Sequence, residues 1–171
     1  MNPKQTCLDH DGRACVEPSP EGCGCRGERQ LTAEDGRRSL EAHAVAKGLE
    51  VREKYGPRIG WNEMMRLFED RALVRYPCRI AFDAEPLREG EFAHPVATGE
   101  RPEEGFTMVV HPYFSAQPDR VPALVLYQLV SLNYGPFASA ADAEAFGAAA
   151  LGISRDEYYN RLCEAADELL C

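Results

Sequence analysis

Positive charge is scarce in the second half of this chain. Of 171 residues, 19 are Lys or Arg and 28 are Asp or Glu, a formal balance of −9, and residues 121–171 hold two basic groups against seven acidic ones. Affinity for DNA or RNA comes largely from Lys and Arg neutralising phosphates, so an acidic chain without a basic stripe is not expected to bind nucleic acid. Long apolar runs are missing as well. Residues 121–141 carry no charge, but Asn133, Gly135 and Pro136 stop a helix there after roughly three turns, short of the ~20 residues of a membrane span. This stretch reads as a buried core helix, and no membrane association is expected. Residues 1–30 show no basic start followed by an apolar run, so no export signal is expected and the cytoplasm is the expected compartment. GxSxG, phosphate-loop and GxGxxG motifs are absent, and beyond residue 30 no two histidines stand at ligand spacing. Hydrolase, nucleotide and dinucleotide readings therefore have no motif to rest on.

What the chain does have is cysteine, seven in all, and four of them crowd one end. Cys7, Cys15, Cys23 and Cys25 follow a C-x7-C-x7-C-x-C pattern, with His10 three residues after the first. Four thiolates, or three and an imidazole, close a tetrahedral zinc site or hold an iron–sulfur cluster, because both prefer soft ligands. Residues 1–30 have no apolar periodicity, and a tail that buries no core of its own can be ordered by such a metal. Gly22, Gly24 and Gly27 let a backbone bend tightly around an ion. Zinc or an iron–sulfur cluster is thus the expected cofactor. The alternatives are a tail of free thiols, or a switch in which Cys23 and Cys25 oxidise reversibly. Cys78 and Cys163 lie in periodic segments as small hydrophobes, and Cys171 ends the sequence.

Beyond residue 30 the pattern predicts α+β architecture, a mixed or antiparallel sheet of about three strands packed by about five helices. Thr32 with Asp35 starts a helix that Gly56 and Pro57 stop after Tyr55, with Leu40, Val45, Leu49 and Val51 available for packing. Asn62 is the expected cap of a second helix carrying Met64, Met65, Phe68, Ala72 and Leu73. Cys78, Ile80 and Phe82 then alternate with Arg79, Ala81 and Asp83 as in a half-buried strand. Residues 92–96 form a weaker strand that Pro95 confines to an edge, and residues 106–111 a stronger one. Pro122 suits the first turn of the uncharged helix. Ser139 with Asp142, and Ser154 with Glu157, predict two more capped helices, the last placing Tyr158, Leu162 and Leu169 on one face. The expected division is a Cys-rich tail, 1–30, and a globular domain, 31–171.

The run VVHPYFSAQPDRVPALVLYQLVSLNYG, a strand, a loop, a proline and a buried helix ending at glycine, sits within an order of elements that resembles the small zincin-like metallopeptidase domains over residues 62–160. Where that family carries HExxH, this chain reads Tyr127, Gln128, Leu129, Val130, Ser131. The resemblance thus implies a scaffold whose two ligand histidines are replaced by tyrosine and serine, and whose general base is replaced by an amide that cannot accept a proton. His111, at the end of a strand, completes the candidate remnant cleft with Tyr127, Gln128 and Ser131. The ordinary alternative is a strand-end histidine and polar groups satisfied by nearby backbone.

These observations point to an accessory or interaction protein that binds a metal or an iron–sulfur cluster and carries no catalytic residues. A protein partner is expected, basic where it meets the acidic C-terminal half. A metal-dependent hydrolase using an atypical ligand set near His111 and Tyr127, and the thiol switch, are the competing readings.

Overall fold

Thr32 caps the first helix. The structure, a computed structural model, describes residues 32–170, and in it Thr32 Oγ1 accepts the Asp35 N–H at 3.1 Å while Asp35 Oδ2 accepts the Thr32 N–H at 3.0 Å. This reciprocal pair satisfies donors that the first turn leaves open. Helix α1 (Ala33–Tyr55) runs 23 residues and ends at Gly56. Its buried positions are Ala44, Gly48, Val51 and Tyr55, while Leu49 stands 52% exposed. Val51 is thus buried as expected, but Ala44 and Gly48, not Leu49, fill the stripe beside it. The reason is a close neighbour: a Cβ on Gly48 would lie 2.8 Å from Ala149 Cβ and collide with the Phe146 carbonyl. Helix α4 (Ala140–Leu151), rich in alanine, presses its backbone against α1 at that point.

Helix α2 (Trp61–Glu69) begins one residue ahead of Asn62. Gly60 stands at the cap, and Glu63 Oε2 accepts its N–H at 3.1 Å, so Asn62 lies inside the helix and caps nothing. Met64, Leu67 and Phe68 are buried, Met65 is turned outward, and Ala72 and Leu73 follow in the turn beyond. The sheet is mixed, in the order β1–β3–β2. Strand β1 (Cys78–Phe82) runs parallel to the central β3 (Phe106–Val110), and β2 (Ala93–Ala97) runs antiparallel to it. Pro95 lies opposite Met108 on an edge strand, where its missing N–H breaks no central ladder.

Helix α3 (Val121–Tyr134) fills the centre. Val121, Leu124, Val125, Leu126, Leu129, Val130 and Leu132 are all buried, so apolar residues cover most of the helix surface. Among the described residues no helix is long and apolar enough to cross a membrane. Ser139 and Asp142 form the expected reciprocal box at the start of α4, and Gly152, with φ +67°, ends it in the left-handed conformation. Helix α5 (Arg155–Asp167) has half of its box: Ser154 Oγ accepts the Glu157 N–H at 3.1 Å. Tyr158, fully buried on α5, donates its hydroxyl to the Ala123 carbonyl at 2.6 Å and so fastens α5 to the core helix. Its ring passes over Gly147, where any side chain would collide with it.

Candidate functional site

The residues expected to hold metal, Cys7, His10, Cys15, Cys23 and Cys25, lie outside the described residues. Within 32–170, a cleft forms beside Tyr127. Helix α3 brings the Tyr127 ring to the edge of Phe92, 6.0 Å between centroids, and the two close one side of a space of about 180 Å³. Tyr159, Leu162, Cys163 and Ala166 of α5 and Glu144 of α4 form the rest. The spacing of Tyr159, Cys163 and Ala166 explains that wall, since residues three and four apart share a helical face. Burial pushes the Tyr127 phenol up, and the Glu144 carboxylate adds to the rise. A hydrogen bond with Cys163 leads the causes that push up the Tyr159 phenol. Both phenols therefore stay protonated at neutral pH and can donate a hydrogen bond. The Glu144 carboxylate is held on the rim by Arg155 Nε at 2.8 Å.

The four positions of the candidate remnant cleft have different surroundings. His111 Nδ1 accepts the Tyr113 N–H at 3.2 Å and caps the short 3-10 helix Pro112–Ala116. Its backbone N–H reaches the Phe92 carbonyl at 2.9 Å, so the residue ties β3 to the segment before β2. Gln128 turns into the domain with 9% of its surface exposed, and no fully buried side-chain nitrogen or oxygen among the described residues lacks a partner. Ser131, one turn on from Tyr127, is exposed and borders a different groove, with Leu40, Tyr76 and Phe137. Tyrosine and serine at the helical spacing of two zinc ligands thus face separate clefts.

No family model, curated protein or solved structure matches this chain. The likeness to zincin-like domains accordingly rests on the order of elements and on nothing in the comparisons. Among the described residues no three His, Cys, Asp or Glu side chains are grouped so as to hold a metal ion. Cys78 is half-buried in β1, and burial pushes its thiol up to about 11, which keeps it protonated and a weak nucleophile at neutral pH. Asn133, near the end of α3, joins two segments: its Oδ1 accepts the Arg75 N–H at 2.9 Å and its Nδ2 donates to the Leu73 carbonyl at 2.8 Å. The end of α3 is thereby clamped to the turn after α2.

Proposed function

We propose that the chain is a metal- or cluster-binding accessory protein, in which residues 1–30 supply the ligands and the helical domain supplies the surface a protein partner meets. The observation that carries this reading is the concentration of soft ligands: Cys7, His10, Cys15, Cys23 and Cys25 fall within one short segment. Thiols deprotonate readily only beside positive charge, and one bound cation would supply that charge to all of these ligands at once. Among the described residues, Cys78 and Cys163 sit on different elements, β1 and α5; Cys78 packs against the core, and Cys163 lines the cleft beside Tyr127.

The partner surface is drawn from the same charge arithmetic. Acidic groups of the C-terminal half are partly neutralised in place, Glu144 by Arg155, Glu157 by Arg161 and Glu168 by Arg120. The surplus carboxylates that remain on the exposed side of α5, Asp156 and Glu164 among them, supply the attraction for a basic partner. Cobalt(II) reports the metal site directly. Titrated anaerobically into the reduced full chain, it should give the intense absorption of thiolate coordination, and the Cys23→Ser, Cys25→Ser double variant should lose most of it. A titration without a thiolate band would refute the metal reading and leave the thiols free.

A further inference from the structure

The domain is acidic as a whole, yet one cleft in it is lined by cations. His43 and Lys47 from α1, Arg71 and Arg75 from the turn after α2, and Asn133 and Tyr134 from the end of α3 enclose about 240 Å³. No carboxylate belongs to that wall. Lys47 has one acidic partner, Glu50, at 2.8 Å on the exposed side of α1, and reaches the Ala72 carbonyl at 3.4 Å. Arg71 uses one guanidinium nitrogen on three carbonyls, those of Phe68, Val74 and Tyr76. Arg75 makes no ion pair among the described residues; its guanidinium lies 5.3 Å over the Tyr76 ring, and its backbone N–H is held by Asn133. His43 meets the Tyr134 ring edge-on at 5.7 Å. Lys47 from α1 and Arg71 and Arg75 from the turn after α2 are like charges that repel one another, and an anion seated among them removes that cost.

The cleft does not end there. Arg75, Asn133 and Tyr134 are shared with an adjoining groove of about 420 Å³, whose walls are mainly apolar and include Leu40, Tyr76, Phe106 and Phe137. Phe137, 84% exposed, stands at its rim. The volume falls within the range of small-molecule sites, roughly 300–1,000 Å³. A cationic end joined to an apolar trough matches one chemistry: a single anionic head on an apolar body. We propose that this composite groove binds an amphipathic organic anion, its carboxylate or phosphate between Lys47 and Arg75 and its apolar body along Tyr76, Phe106 and Phe137. The site stands on different residues from the metal proposal and does not rest on it.

Calorimetry on the full chain at low salt tests the site with three probes of equal length: decanoate, decyl phosphate and decanol. The two anions should bind and the alcohol should bind at least tenfold more weakly, the weight of about one charge-assisted contact; whichever anion binds tighter identifies the head group. Arg75→Gln and Lys47→Gln should each weaken both anions about tenfold, and Phe137→Ser should weaken all three probes. All three positions are on the surface of the groove, so unchanged circular dichroism will accompany the loss. Equal binding of decanol and decanoate, or anion binding unaffected by Arg75→Gln, would overturn the proposal. So would a dimer of the chain that Phe137→Ser dissolves in the absence of any anion binding, which would assign the groove to a second copy.

Discussion

Asp70 gathers three donors on one carboxylate. Lys54 Nζ and the Tyr55 hydroxyl reach Oδ2, and the Ala72 N–H reaches Oδ1 at 3.1 Å. The Lys54 hydrogen bond is the main reason its carboxyl lies below the ordinary carboxylate value, with burial opposing and the Ala72 and Tyr55 bonds adding to the fall. A carboxyl lowered on folding contributes stability above its unfolded value of about 3.9, and that contribution is lost as pH falls through the lowered folded value. Asp70→Asn should therefore cost about 1 kcal/mol at pH 7, the modest figure reflecting a lysine largely open to solvent. Urea midpoints should show the gap between variant and parent closing toward pH 3; a gap unchanged over that range would remove Asp70 from the account. Tyr158 is the second residue with a definite load. Tyr158→Phe leaves the Ala123 carbonyl without its 2.6 Å donor, and a loss of about 1–2 kcal/mol in denaturant unfolding is expected. Neither role was legible in the sequence, because each depends on a partner from another element. Asn133 shows the same limit: it reads in sequence as a helix stop, while its partners, Arg75 and Leu73, lie about sixty positions away and only the fold brings them near.

Elements were legible where local chemistry decides them. The capping pairs Thr32 with Asp35 and Ser139 with Asp142, the alternation from Cys78, and the uncharged stretch of α3 each specify their element from neighbouring residues alone. Asn62 misled because Asn is a strong cap type, yet Glu63 reaching back to the Gly60 N–H stabilises an earlier start. The stripe of α1 misled for a different reason. Which face of a helix is buried depends on its neighbour, and here α4 offers alanines at a distance that Leu49 cannot fit and Gly48 can. Two glycines of α1 make this testable. Gly48→Ala should lower stability by about 1–3 kcal/mol by forcing α1 from α4. Gly36→Ala, with nothing within 4 Å of the added carbon, should raise it by about 0.5–1 kcal/mol through helix propensity. Thermal midpoints moving in the same direction for both variants would contradict the close packing of these helices.

At the scale of the whole molecule, net charge concealed as much as it revealed. A balance of −9 gave the expectation that nucleic acid is not a partner, yet Lys47, Arg71 and Arg75 gather in one cleft from a stretch in which basic and acidic residues are interleaved along the chain. Tertiary packing sorts them, gathering the basic groups while Glu50 stays outside and Asp70 is taken up by Lys54 and Tyr55. Tyr127 and Ser131 show the converse. Spacing placed Tyr127 and Ser131 one turn apart on α3, but the elements over that helix divide its surface into two clefts. The proposed metal chemistry rests on Cys7, His10, Cys15, Cys23 and Cys25. Metal analysis of the full chain purified without oxygen, beside the Cys23→Ser, Cys25→Ser variant prepared identically, tests that claim most directly. The account predicts stoichiometric zinc or iron in the parent and a large loss in the variant; equal metal content in the two would contradict it.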